Sequence, residues 1–483
     1  MRRSITLLAC LAAWSAPAVL AEGLPDLGET SQSELSPQME KRVGESIMQE
    51  IRQKDPSYLD DPEINGYLNR IGRRLASNSD EARQEFEFFA LRDATLNAFA
   101  LPGGFVGVHS GLILGAQSES ELASVLSHEI SHVTQRHIAR GFAKQSQSYT
   151  TTLLSLAVAI LAARHSPDAA QGALIAGQAV GVQQQLNYSR DFEREADRVG
   201  IQLLERSGFD VRGMGSFFGR LQQFGRLYEN NAPGYLRTHP LTTERISDME
   251  NRIQSRPYHQ VPDSLDFLLV RAKLRAQEGT SQDAVTDFDT QVKERKFTSE
   301  AAARYGFARA LLRAKSFAAA DAQVAELRRL KETSPMIETL AAELRLQQND
   351  AAGAVKLLQA AASRYPLERA IAYALVESLL TSGRAQEALK ATVVDLQAYT
   401  TDYRMHALQA KTYSLLGKRL QQHRAQGESY ALRGLLMPAI EQFELAQKSP
   451  DGDFYEYSQV DARLRTLKRQ QAEEARRKKQ NSP

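Results

Sequence analysis

Between residues 118 and 134, the apolar positions Leu122, Val125, Leu126, Ile130 and Val133 recur at the spacing of one helix face, and Ser118 followed by Glu121 has the form of a capping box. A helix is expected there, with His128 and His132 off the apolar stripe on a face that can open to a cleft. A second stripe, Ala196, Val199, Ile201, Leu203 and Leu204, predicts another helix after Asp191. Upstream, Glu85-Phe86-Glu87-Phe88 alternates as a strand does, and Phe99-Ala100-Leu101-Pro102 continues extended until Gly103 and Gly104 break it. Alternate strand residues face opposite sides, so Phe99 and Leu101 can serve a sheet core while the strand keeps a free edge.

From about residue 265 strand signals vanish and Ala, Leu, Gln and Arg dominate. Ala320, Ala354 and Ala388 recur 34 residues apart, and Ala342, Ala354, Leu358, Ala361 and Pro366 stand at the offsets of a tetratricopeptide (TPR) repeat. Ala284 and Ala439 extend the series with irregular spacing. Such a period predicts helix pairs stacked into a superhelix with a concave surface for peptide or protein segments. The fold class expected is α+β, mostly α: a part with a small sheet over 22–258, an all-α TPR-like superhelix over 265–460, and a basic tail over 461–483.

Between the two site helices lie the apolar runs Leu153–Ala163 and Ala173–Val182. The first has 11 residues, well short of the roughly 20 needed to cross a bilayer. A buried hairpin or a lid over about 141–190 that dips into a membrane surface fits better, and the lid is favoured because Gly172, Gly177 and Gly181 leave it deformable.

At 483 residues the chain is too long for one core, and 42% hydrophobic with 24% charged residues is ordinary for globular protein. Met1-Arg2-Arg3 and the apolar stretch Ile5–Leu20 form a secretory signal, with cleavage expected after Ala21. Leu7-Leu8-Ala9-Cys10 has the look of a lipoprotein box. Cutting there would leave half of the apolar run on the mature chain, so lipidation is disfavoured. Cys10 is the sole cysteine, so the mature chain has neither disulfide nor thiol chemistry. Removing residues 1–21 takes away Arg2 and Arg3 and no acidic residue, so the formal charge falls from +2 to 0. Nucleic-acid binding by bulk charge is excluded. Arg463, Arg465, Lys468, Arg469, Arg476, Arg477, Lys478 and Lys479, against Glu473 and Glu474, read as a frayed, solvated helix end; attraction to an acidic partner or lipid head groups ranks second.

The chemistry sits at His128-Glu129-Ile130-Ser131-His132. Residues i and i+4 of a helix share a face, so both imidazoles can reach one tetrahedral metal, with Glu129 beside the open position as a base. Downstream, Glu193 and Asp197 repeat the i, i+4 spacing. Glu193 is taken as the third ligand, and Asp197 as a group that orients a histidine or assists proton transfer. Glu195 competes for the ligand role but points roughly 200° from Glu193 at about 100° per residue. A strand edge at Asn97, Ala98, Phe99 and Ala100 beside the metal would let an extended peptide add by backbone hydrogen bonds.

These elements, with His239-Pro240 followed by Arg245-Ile246 and the segments Asn97–Gly104 and Gly107–Leu112, resemble peptidase family M48 over residues 40–255. The resemblance implies a gluzincin metalloprotease with one zinc ion per chain, held by His128, His132 and Glu193. It implies Glu129 as general base and Asp197 at the proton-donor position. His239 and Arg245 fall at regulatory or transition-state positions, His239 either steadying the oxyanion or closing the fourth metal position as a latch. With the repeat tail, the resemblance implies a periplasmic endopeptidase of outer-membrane protein quality control. Its partners would be unfolded or stalled outer-membrane proteins and, through the TPR-like region, the β-barrel assembly machinery, with peripheral membrane contact and no nucleic acid. The alternatives are an assembly chaperone or scaffold with a latched protease site, and a helical binding protein with a structural zinc.

Overall fold

The computed structural model describes residues 36–81, 84–143, 190–227 and 234–480. The expected signal peptide with Cys10, and the apolar runs of the expected lid, lie outside the described residues. Helix α1 (Pro37–Lys54) and strand β1 (Tyr58–Leu59) lead into α2 (Pro62–Ala76), which opens where the Asp61 side chain accepts from the Glu63 and Ile64 amides. Strands β2 (Glu87–Leu91), β3 (Ala98–Leu101) and β4 (Phe105–His109) follow, then α3 (Ser110–Gly115). The sheet order is β1-β2-β4-β3, with β2 and β4 parallel and β3 antiparallel to β4. The segment read as a strand from Glu85 thus begins two residues later, and the segment at Phe99 is an edge strand. The His109 amide donates to the Asn97 carbonyl at 3.0 Å. By the alternation of an antiparallel ladder, Phe99 and Leu101 then face β4, while Ala98 and Ala100 turn their backbone groups to the outer edge.

Helix α4 (Glu119–Thr134) carries the two site histidines and packs against β3, α2, α6 (Arg190–Arg206) and α7 (Arg212–Leu227). It is buried on every side from Glu119 to His132, so the polar face that the sequence pattern places towards a cleft is interior too. The hydroxyls of Ser124, Ser127 and Ser131 donate to carbonyls three or four residues back, which lets these serines enter the core with their hydroxyls satisfied. The capping box is half present. The Ser118 side chain accepts from the Glu121 amide at 3.2 Å, but Glu121 reaches the Gln117 amide at 2.7 Å and pairs with Arg220.

A left-handed residue, Arg136 at φ 53°, ends this helix and starts α5 (His137–Ala143). Helices α8 (Gly234–Thr238) and α9 (Thr243–Gln254) complete the sheet-bearing part.

From Leu265 onward the described chain is wholly helical, in antiparallel hairpins. Ala284, Ala320, Ala354 and Ala388 each occupy the fourth position of the second helix of a pair, at Ser281–Lys293, Phe317–Arg329, Ala351–Arg364 and Ala385–Ala398, and each is buried. Small side chains there let paired helices approach closely. The irregular step to Ala439, fourth in Leu436–Lys448, has a plain cause: one extra helix, Tyr403–Leu415, shifts the phase. The basic tail does not fray at residue 461. It belongs to a last helix, Phe454–Gln480, whose Val460, Leu464 and Leu467 are buried, with Arg463 on Glu428 and Lys468 on Glu444.

Among the contacts between the repeats and the sheet-bearing part, two stand on opposite sides. Glu63 of α2, 7% exposed, meets Lys273 at 2.5 Å, Arg309 at 3.2 Å and the Thr339 hydroxyl. On the other side, Gln49 and Gln53 of α1 donate to the carbonyls of Gly434 and Arg433, and the Tyr403 hydroxyl to Asp60. No helix among the described residues is long and apolar enough to cross a membrane.

Candidate metal centre

Helix α6 lies close against α4: a Cβ on Gly200 would stand 3.3 Å from the His128 amide nitrogen. That approach brings Glu193 onto the histidines. His128, His132, Glu193 and His239, all buried, offer ligand atoms within 4.8 Å of one another. His132 Nε2 is 3.0 Å from His128 Nε2 and 3.4 Å from Glu193 Oε1, and His128 Nε2 is 3.5 Å from Glu193 Oε2. His239 Nδ1 lies 3.4 Å from His128 Nε2 and 2.9 Å from Glu193 Oε1. A tetrahedral shell with bonds of about 2.0–2.1 Å has edges of about 3.3 Å, so these separations fit a zinc-sized ion. The donor set, three imidazoles and one carboxylate, fits it chemically as well.

Electrostatics acts on the two α4 histidines in opposite directions. Burial favours neutral imidazole and takes His132 down to about 3. Burial acts likewise on His128, but Asp197 and Glu193 outweigh it and lift His128 to about 9. Burial opposes ionisation of Glu193, yet the surrounding histidines, His239 first, hold it well below the usual carboxylate range. Glu129, 0% exposed, has no hydrogen-bond partner on either oxygen, and burial raises its pKa against the pull of His239 and His128. Its Oε1 is 3.4 Å from His239 Nε2.

Asp197 Oδ1 lies 3.0 Å from His128 Nδ1, and Arg245 clamps the same carboxylate through Nε at 2.7 Å and Nη2 at 2.8 Å. Arg245 also reaches Glu193 Oε2 at 2.9 Å and the Pro240 carbonyl at 2.7 Å. Burial opposes the charge on Asp197, and Arg245 with His128 keeps its pKa lowered. The edge strand passes beside this cluster: the Ala100 amide acts on Glu129, and Tyr235 of α8 donates its amide to the Leu96 carbonyl at 3.2 Å. A cleft lined by Leu101, Gly103, Glu40 and Arg136 leads from the end of β3 to His132.

The described model for peptidase family M48 matches residues 62–253. The chain is 33% identical to the beta-barrel assembly-enhancing protease of Yersinia pestis over 448 residues, 92% of both chains. The chain belongs to peptidase family M48. The corresponding protein of Escherichia coli strain K12 is 32% identical over 454 residues, 93% of this chain and 92% of that one. Similarity to the mitochondrial metalloendopeptidase OMA1 of Schizosaccharomyces pombe, 28% over 227 residues, covers only 45% of this M48 peptidase and 62% of that protein. It is a metalloendopeptidase by family, and the family implies a metal at this cluster.

Sequence reasoning passed over two groups. His137, 0% exposed, places Nδ1 2.8 Å from His132 Nδ1, and its Nε2 is 3.1 Å from Glu195 Oε2. Glu195 is thus no ligand but stands behind one. Tyr235, on the helix that carries the chain to His239, has its ring 4.6 Å from that imidazole and a buried hydroxyl without a partner. The His137 signal was present as a histidine five residues after His132, but its return to His132 depends on the turn at Arg136.

Proposed function

We propose that this M48 peptidase is a periplasmic zinc endopeptidase that acts in outer-membrane β-barrel assembly, removing misassembled clients, with His239 closing its metal site at rest. The observation that carries the reading is the four-cornered shell of His128, His132, Glu193 and His239 with the fully buried carboxylate of Glu129 at its side. The names of the relatives, which join a protease to barrel assembly over nearly the whole chain, supply the client class.

In this reading His128, His132 and Glu193 hold one zinc ion, which when bound supplies a Lewis acid for the scissile carbonyl and for water. Glu129 takes a proton from the attacking water and returns it to the leaving amine; a carboxylate whose pKa burial has raised suits both halves of that transfer. Asp197, engaged by Arg245, serves the orienting role for His128 better than proton donation, because the clamp holds it ionised. A client segment would lie along Ala98–Ala100, taking backbone hydrogen bonds from the outer edge of β3 next to Glu129. Arg245 braces Asp197, Glu193 and the carbonyl of Pro240, next to His239, and so links latch and shell.

His239 as a fourth ligand leaves no corner of the shell for substrate, so it must swing away before turnover. The same observation favours a second reading, a chaperone or scaffold of assembly whose protease site is rarely used. Zinc analysis of the mature protein with a casein digest tests both. Glu129→Gln is expected to keep zinc and lose cleavage, Glu193→Gln to lose both, and His239→Ala to keep zinc and cut faster. Full complementation of a deletion strain by Glu129→Gln would retain the scaffold and remove the protease from the physiological role.

A further inference from the structure

The carboxylates of α6 alternate in use. Glu193 faces the shell, Asp197 stands directly behind His128, and Glu195, on the flank of the helix, stands behind His132 at one remove, with His137 between them. On a continued helix, the residue five after His132 would point about 140° away from it. Here the helix stops, Arg136 takes a left-handed turn at φ 53°, and His137 folds back so that its ring meets that of His132. Arg136 is held in that turn by Glu40, with Nε at 3.2 Å and Nη2 at 2.9 Å from one oxygen. His137 is then fixed in plane by Phe192, stacked at 4.6 Å and 11°. Glu195 is fixed by Arg140, at 2.9 Å.

We infer that His137 and Glu195 form a positioning chain for the metal ligand His132, setting its ring orientation and tautomer. The inference rests on the zinc reading of the shell. His132 turns Nε2 towards the other ligand atoms, so its proton belongs on Nδ1. That N–H donates to His137 Nδ1, which accepts only if the His137 proton sits on Nε2, and that second N–H donates to the Glu195 carboxylate. Each nitrogen in the chain has one role, and the negative charge at its far end strengthens both hydrogen bonds in turn. His128 reaches its carboxylate directly and His132 through a second imidazole, so both ligands from α4 are oriented by α6. Neither His137 nor Glu195 touches substrate in this arrangement.

The test uses the full mature chain. His137→Phe preserves the stack on Phe192 and removes both nitrogens; Glu195→Gln preserves shape and removes the charge. Zinc dissociation constants are measured by chelator competition, and the visible spectrum of the cobalt(II)-substituted protein reports ligand geometry. Both variants are expected to bind zinc about 10- to 100-fold more weakly than the parent chain and to shift the cobalt bands. Glu205→Gln, on the same helix but paired with Arg256, is expected to change neither. Zinc binding within twofold of the parent and unshifted cobalt bands in both variants overturn the chain while leaving the metal reading intact. A parent protein that takes up no zinc overturns the metal reading itself, and the chain with it. Should His137→Phe fail to fold, Glu195→Gln, whose carboxylate is partly exposed, decides alone.

Discussion

Replacing Arg245 by Met removes a guanidinium that faces two carboxylates in the core. Asp197 and Glu193 are 2% and 1% exposed, and Arg245, itself 2% exposed, meets them through three nitrogens at 2.7, 2.8 and 2.9 Å. Met fills similar space but leaves Asp197 with His128 alone and Glu193 with the site histidines, without the permanent charge of the guanidinium. Breaking a buried pair from one side costs about 3–5 kcal/mol, which is about a 150- to 5,000-fold rise in the population of the locally opened state. The opening is local, so it is best read by hydrogen exchange with mass spectrometry on peptides spanning 119–134 and 190–206 of chelator-treated protein. In the parent chain Asp197→Asn is expected to destabilise; in the Arg245→Met background it is expected to cost much less, since the charge it removes is then a liability. Added zinc should recover part of the loss by binding the folded site. A cost for Arg245→Met below about 1 kcal/mol, the range of exposed pairs, or strictly additive costs in the double variant, would refute the reasoning.

Three other substitutions probe separate parts of the fold. Gly72→Ala places a Cβ 2.1 Å from the Phe88 ring where α2 lies on β2, and overpacking of about 1–3 kcal/mol should lower the thermal midpoint; an unchanged midpoint would show that the helix can shift freely. Glu63→Gln takes away the charge shared by Lys273 and Arg309, at a cost of about 1–3 kcal/mol. Exchange should then quicken together in 62–76, 265–275 and 335–347, and a change confined to one of these would argue against a joint. Tyr235→Phe deletes a buried hydroxyl that has no partner, so stability should hold or rise by about 1–3 kcal/mol in a urea titration; a clear loss would mean that the hydroxyl is satisfied in solution.

Much of the site was legible because its spacing obeys the helix. His128 with His132, and Glu193 with Asp197, each sit four residues apart, and the structure sets the two pairs face to face. The repeats were legible for the same reason: a small residue every 34 positions marks where paired helices must approach. What could not be read is what local periodicity does not encode. Ser124, Ser127 and Ser131 lie off the apolar stripe of α4 yet are buried, because each turns its hydroxyl onto its own helix. His137 comes back to His132 only through a backbone turn at Arg136, a residue type with no particular preference for it. The junction at Glu63 joins residues separated by 210 to 276 positions, beyond any window of pattern. The extra helix at Tyr403–Leu415 showed in sequence only as an irregular step.

The bonds from Gln49 to the carbonyl of Gly434 and from Gln53 to that of Arg433 span 385 and 380 positions. They impose an order on the birth of the molecule. A chain made from its amino terminus has α1 from the start, yet the outer flank of that helix waits for nearly all of the remaining residues before its last partners exist. Loops so long close late, after local helices and hairpins have formed. The catalytic part must therefore persist for a time with one side uncovered, and any product ending before Tyr403 keeps Gln49, Gln53 and Asp60 turned towards water. Completion of this protease is thus a matter of the whole chain having arrived.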